Sequence, residues 1–324
     1  MTVLDVIKEI SNIGPHPGGS KEEMEVAKFL KDGIEPYCEE VCFEEFQYMD
    51  MTGKEKKSVN VIGRYCESED NKKAVVVCTN IDTIRDLDIV VDFWEKKEKD
   101  VSEVPHIEGA NEPNSAIAFL IYFAKVLAAE KVKRNFLLIG FGAQEEWYGK
   151  LLNVDDTSTP FKVRKKFERL GYLLGSRYHV LSNGVKNIDS VIAIDAVGIG
   201  VPRVVCRDSF GKSTLDSKLL NGLGEIKIRG FRYKPGKRTV EAIGCDHLPF
   251  RISGVPSTWI IAAQGVLKEK NFLGYILDHE NIPNYATKND TFSNLLKVSS
   301  EREIERNFNL ISRSLVRYVI ERSI

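Results

Sequence analysis

Residues 74–78, Ala74-Val75-Val76-Val77-Cys78, form an apolar run rich in β-branched residues, bounded by polar segments. Successive side chains of a strand point to opposite faces, so a strand that is apolar at every position expects cover on both of them. Ile117, Leu120, Ile121, Ala124 and Leu127 then recur at helical spacing behind Asn114, and a second apolar run follows at 135–141. Strand, helix, strand is the unit of a parallel sheet. Further strand candidates lie at 58–63, 190–195, 203–206, 225–229 and 257–262. Capping boxes at Ser20 to Glu23 and Ser300 to Glu303 mark the starts of two amphipathic helices. The pattern predicts an α/β fold: a single domain over residues 1–324, a mixed and mainly parallel sheet with helices on both faces, and an insertion at about 150–170.

Ligand sites in such sheets sit beyond the carboxyl ends of the strands. Asn80, Asp82, Glu145, Glu146 and Asp195 each fall at, or just after, the end of a strand candidate. Polar residues far apart in the chain are thereby expected to meet.

The chain has 324 residues, 46 basic and 47 acidic, with a formal net charge of −1. That balance gives no global attraction to nucleic acid or an anionic membrane. The Lys/Glu runs at 54–57 and 95–99 read as solvated faces. The start has neither a basic leader nor an apolar core, and no later run is long and uncharged enough to span a bilayer, so a soluble, cytoplasmic protein is expected. Six cysteines (Cys38, Cys42, Cys66, Cys78, Cys206, Cys245) in a chain able to bury a core read as reduced thiols; Cys38 and Cys42 have zinc-ligand spacing but no second pair.

Four segments carry the chemistry: Cys78-Thr79-Asn80-Ile81-Asp82, Gly109-Ala110-Asn111-Glu112-Pro113-Asn114-Ser115, Gln144-Glu145-Glu146 and Tyr285-Ala286-Thr287-Lys288-Asn289-Asp290. In order and surroundings they resemble the zinc aminopeptidases and glutaminyl cyclases of metallopeptidase family 28, whose segments read roughly His-x-Asp, Gly-Ala-x-Asp, Glu-Glu and His-Thr-x-x-Asp. The resemblance runs from Asn12 to Thr291 and takes in Leu174 to Tyr178, Ile194 to Gly198 and Asp246 to Pro256. The last two, with the inserted stretch after Glu-Glu, lean toward the glutaminyl cyclase branch.

The resemblance implies a role for each residue. Glu145 becomes the proton shuttle, Glu146 a metal ligand, Asp195 a ligand or a member of the cyclase proton network, and Asp246 a second acid of the cleft. Glu112 takes the place of the bridging Asp, its extra methylene too long for a close two-metal site, and a cis peptide is implied before Pro113; the alternative is an ordinary trans Pro at a helix N-terminus. Asn80 and Ala286 replace the two ligand histidines, and Asp82 matches the orienting Asp behind the first. An amide oxygen is a poor zinc ligand and a methyl group is none. Asp82, Glu112, Glu146 and Asp195, buried together, require relief by a metal, by protonation or by a basic partner, for which Lys288 and Arg177 are the candidates. An oxygen-rich set suits a hard cation such as Mg²⁺ or Ca²⁺. His247 is a cleft support; His279 reaches the site only if its loop folds back; His16, His106 and His179 read as structural; Cys245 beside Asp246-His247 invites a thiol and imidazole reading. Trp147 shapes the pocket. The bland reading of Glu145-Glu146 is a surface loop.

Two functions follow. One is an enzyme acting on an amine or amide group of a peptide or amino-acid-like molecule by carboxylate acid/base chemistry without the standard di-zinc centre, with no cofactor or a weakly held divalent cation and no stoichiometric zinc. The alternative is a catalytically inactive homologue whose cleft binds a ligand or a protein. Hydrolysis, cyclisation and aminoacyl transfer share a tetrahedral centre and a proton shuttle, so these residues do not separate them. Oligomeric state is not legible.

Overall fold

The computed structural model describes residues 1–66, 73–87, 89–90, 101–154, 160–167, 170–208, 211–215, 220, 222–227, 232–233, 240–241, 244–264 and 283–321. Two helices, α1 (Val3–Ile13) and α2 (Lys21–Ile34), lead into the hairpin of β1 (Glu40–Met49) and β2 (Glu55–Tyr65). The apolar run becomes β3 (Ala74–Asn80), and α3 (Asn114–Glu130) returns the chain to β4 (Phe136–Phe141). Next come β5 (Lys150–Leu152), α4 (Phe161–Phe167), α5 (Leu174–Asn183), β6 (Ile188–Ile194), β7 (Val201–Asp208), β8 (Gly211–Lys212) and β9 (Gly224–Lys227). A separate strand pair, β10 (Arg232–Tyr233) and β11 (Val240–Glu241), precedes α6 (His247–Ile252), β12 (Ser257–Ala263), α7 (Phe292–Val298) and α8 (Glu301–Glu321).

The main sheet runs in the order β5-β1-β2-β4-β3-β6-β12-β7-β8, with β9 beside β7. Its centre, β4-β3-β6-β12, is parallel, and the antiparallel strands lie outward. This is the mixed, mainly parallel sheet that the apolar run predicts. Val75 and Val77 face the core made with Ile10 of α1, Leu30 of α2, Phe119 of α3 and Phe308 of α8. Val76 and Cys78 face the other core, with Val180 of α5 and Phe250 of α6. Each fully buried Val or Phe of these layers contributes about 1.5–3 kcal/mol.

Of the two capping boxes, that of α8 closes: Ser300 N–H donates to Glu303 Oε2 at 2.8 Å and Glu303 N–H to Ser300 Oγ at 3.3 Å. The α2 box closes by half. Glu23 N–H donates to Ser20 Oγ at 2.9 Å, but the Glu23 carboxylate accepts from Gly19 N–H, Ser58 Oγ and Ala143 N–H instead. A buried carboxylate is better satisfied by three donors than by one exposed cap.

The 150–168 stretch adds β5 to the sheet edge beside β1, and α4 places Phe167 in the second core. No helix among the described residues is long and apolar enough to cross a membrane. The charge run at 95–99 and His279 lie outside the described residues.

Candidate active site

The parallel strands end together, and the polar segments follow those ends. Asn80 closes β3 and is buried; its Nδ2 donates to the Asp82 carbonyl and to Glu112 Oε1, both at 2.9 Å. Asp82 accepts from Gln144 N–H on one carboxylate oxygen and from Glu145 N–H on the other, each at 2.9 Å. The carboxylate thus clamps the turn after β4 to the turn after β3. Ala143 in that turn has φ 49°, a left-handed conformation that side chains adopt only under constraint.

Glu112 precedes Pro113 through a cis peptide bond, as the resemblance implies and against the trans alternative, although Pro113 does stand at the N-cap of α3. Asn111 N–H and Glu112 N–H donate to the two Asp290 oxygens at 2.7 and 3.1 Å, tying the segment after β3 to the last of the four motifs. Glu112 Oε2 has no hydrogen-bond partner among the described residues. Burial pushes the Glu112 carboxyl well above its usual range, and the charges of Glu145 and Asp195 add to the push.

Glu145 receives Gln144 Nε2 on one oxygen at 2.7 Å and Trp147 Nε1 on the other at 3.3 Å. Burial carries it up to about 7; those two donors oppose the shift and Asp195 and Glu146 reinforce it. Asp195, one residue past β6, accepts from Ala196 N–H at 2.7 Å and from the Tyr285 hydroxyl at 3.3 Å, and burial lifts it to about 6. Asp246 is fully buried; burial raises it strongly, Ser176 opposes without reaching full hydrogen-bond geometry, and Glu145 and Asp195 add. Asp82 is likewise raised by burial, then by Glu23 and Glu145. Glu145 is therefore the carboxylate felt by Asp82, Glu112 and Asp246 alike. Like charges in a dry cleft hold protons that exposed carboxylates release.

Glu146 lies in a different field. Burial raises it, and Lys56 and Arg85 oppose. Its Oε1 is 3.8 Å from Lys56 Nζ. Lys56 belongs to the 54–57 run read as solvated; Lys54, Glu55 and Lys57 are exposed, but Lys56 turns inward. Alternation along β2, which places Lys56 on the side of buried Ser58, is the signal that would have found it.

Neither expected basic partner reaches the acid group by a described contact. Lys288 is exposed, and Arg177 Nη1 donates to the Leu170 and Tyr172 carbonyls. Ala286 fills its position with a buried methyl group and a carbonyl that accepts from Leu87 N–H. His247 Nε2 lies 3.3 Å from Asp208, which also pairs with Arg251 at 2.7 Å, and its ring stacks on Trp259. Burial pushes the Cys245 thiol well above its ordinary value, the opposite of an activated nucleophile. His16, His106 and His179 are held by Gly14 O, Thr83 O and Glu44. Tyr285 and Asp290, from the fourth segment, and Glu23, read from sequence as a helix cap, join the site's framework in roles that the sequence did not assign them.

Parallel central strands with a carboxylate cleft at their carboxyl ends are the arrangement of an aminopeptidase and glutaminyl cyclase-like fold. The model of peptidase family M28 matches residues 60–311, and the chain belongs to that family. Among solved structures it is similar to Bacteroides thetaiotaomicron glutaminyl cyclase bound to N-acetylhistamine, at 17% identity over 98% of this chain and 96% of that one, TM-score 0.65. A leucine aminopeptidase precursor from the same organism aligns at 17% identity over 98% and 95%, TM-score 0.63. A zinc aminopeptidase from Bacillus subtilis aligns at 13% over 97% and 93%, TM-score 0.62. No curated protein matches the sequence.

Proposed function

We propose that this chain is a divergent aminopeptidase or glutaminyl cyclase-like enzyme that works on an amine or amide group of a peptide or amino-acid-like molecule, with Glu145 as proton shuttle and without the standard di-zinc centre. The observation that carries the reading is the hydrogen bond from Asn80 Nδ2 to Glu112 Oε1. An N–H donor points where a zinc site needs a lone pair. With Ala286 in place of the second imidazole and Glu146 directed at Lys56, the donor set does not fit a zinc pair.

Glu145 is oriented by Gln144 and Trp147 and buried to 9% exposure, which suits a carboxyl that must change protonation state near neutral pH. It takes a proton from the attacking group and returns it to the leaving amine. Asp195 supplies an acceptor for a substrate ammonium or amide N–H, and Asp246, fully buried, stands behind it. Charge on the tetrahedral oxygen needs a hydrogen-bond donor or a cation, and the Tyr285 hydroxyl, which donates to Asp195, is a candidate. A small peptide or amino-acid-like substrate fits this chemistry.

Metal content by mass spectrometry, measured alongside turnover of aminoacyl and N-terminal glutaminyl peptides in chelator, tests the reading. Metal-free turnover lost in Glu145→Gln is the expected result. Stoichiometric zinc overturns the metal-free part, and ligand binding without any turnover would favour the inactive homologue.

A further inference from the structure

Lys56 stands opposite Tyr48 near the start of β2, and its side chain retains 26% exposure. Its ammonium donates to the Gly18 carbonyl at 3.4 Å and lies 3.8 Å from both Glu146 Oε1 and Asp50 Oδ2. The two carboxylate side chains are only 3% and 8% exposed. Three oxygens therefore surround a group that carries three N–H bonds and no lone pair. Glu146 Oε1 has no closer hydrogen-bond partner among the described residues. Arg85 also opposes the upward shift of Glu146, and its Nη1 donates to the Ser102 and Val104 carbonyls.

The backbone makes room for this arrangement. A Cβ on Gly18 would fall 2.6 Å from Glu146 Cγ and 2.9 Å from Ala143 Cα, so the loop before α2 packs directly on Glu146 while its carbonyl reaches Lys56. Asp50 is itself tied down by Thr52 N–H, Thr52 Oγ1 and Lys54 N–H. Lys56 is thus held from the loop and from the β1–β2 turn.

We infer that the tethered ammonium of Lys56 is the resident cation of Glu146, taking at that carboxylate the electrostatic place of a divalent ion. The inference rests on the metal-free reading above. Lys56 touches no reacting atom in this scheme and is a positioning residue: it balances the charge of Glu146, which otherwise bears on Glu145. A buried carboxylate stripped of its partner seeks another cation, so the lysine and a divalent ion compete for one oxygen pair.

Zinc titration of the purified full chain, read as bound metal and as a shift in Tm, tests this on wild type, Lys56→Arg, Lys56→Gln and Lys56→Gln/Glu146→Gln. Wild type and Lys56→Arg are expected to hold no stoichiometric zinc. Lys56→Gln is expected to bind it at least about tenfold more tightly than wild type, a change equivalent to roughly 1.4 kcal/mol, and the double variant is expected to lose that gain. A natively folded Lys56→Gln indistinguishable from wild type, or a gain that survives Glu146→Gln, overturns the inference alone. Stoichiometric zinc in the wild type overturns the metal-free reading and the inference with it. If Lys56→Gln loses its cooperative melt, Lys56→Met keeps the apolar stem and serves in the same comparison.

Discussion

Asn80 donates Nδ2 to Glu112 Oε1 over 2.9 Å, so the residue that closes β3 holds by a hydrogen bond the carboxyl group that stands just before α3. The same nitrogen also donates to the Asp82 carbonyl. One amide therefore spans two of the polar segments and leaves Glu112 Oε2 without a hydrogen-bond partner among the described residues.

Removing that donor is expected to cost stability. Asn80→Ala leaves Glu112 Oε1 without its amide and is predicted to lower stability by about 1–3 kcal/mol. Asn80→Asp adds a further charge beside Glu112 and is expected to cost more. Urea melts of the three proteins provide the comparison, and an Asn80→Asp variant as stable as wild type would contradict the buried like-charge arrangement.

Glu145→Gln preserves shape and removes the titrating oxygen. Turnover is expected to fall about 10²–10⁴-fold with KM little changed. With burial carrying Glu145 to about 7, the wild-type rate should change through a neutral apparent pKa that the Gln variant lacks. A pH profile of kcat for both proteins checks this, and an unchanged rate in the variant would remove Glu145 from the mechanism.

Stability should fall, not rise, as pH increases from mildly acid to neutral. Burial raises Glu145 and Asp290 to about 7 and Asp195 to about 6, so the fold binds more protons than the unfolded chain above the ordinary carboxylate range. Their contribution is complete below about pH 4 and is lost as pH passes through 6 to 7. Asp208 and Glu44, held low by His247 with Arg251 and by His179 with Asn60 against the upward push of burial, act in the opposite sense in acid, as do His16 and His106, which burial lowers to about 4 and about 3; the raised carboxyls outnumber them. In chelator, Tm is therefore expected to peak on the acid side of neutrality. A Tm that climbs steadily to pH 8 would show that the acids are ionised and compensated.

Gly18→Ala should be disproportionately damaging for a loop substitution. The added methyl meets Glu146 Cγ at 2.6 Å and the Ala143 backbone at 2.9 Å, and backbone does not yield as a flexible side-chain end does. A loss of about 1–3 kcal/mol is expected, the range for overpacking a filled site. Gly53→Ala, where no atom lies within 4 Å but φ is +82°, separates steric cost from backbone strain. Equal losses in the two variants would argue against close packing at Glu146.

Much of this architecture was legible in the residue order. The apolar run at 74–78 has one low-energy use, a strand buried on both faces, and β3 lies in the middle of the sheet. The Ser300 to Glu303 box caps α8, because capping is settled within four residues of chain. Asn80, Asp82, Glu145 and Asp195 were placed near one another by a rule about strand ends, and the register of β3, β4 and β6 brings those ends together.

Direction and partnership were not legible. Glu145 and Glu146 are neighbours in sequence, yet one touches Gln144 and Trp147 while the other faces Lys56, because an irregular turn has no period from which side-chain direction can be read. Arg177 and Lys288 carry the right charge, but Arg177 is buried with Nη1 on backbone carbonyls and Lys288 is exposed, whereas Lys56 hid in a charged run. Glu23, a local cap by sequence, is claimed by Ser58 and Ala143. Periodicity and capping depend on contacts within a few residues, so the sequence by itself determined the elements and their layers. Which acid meets which donor across 90 residues depends on distance and desolvation in the assembled cleft, and only the tertiary structure decided it.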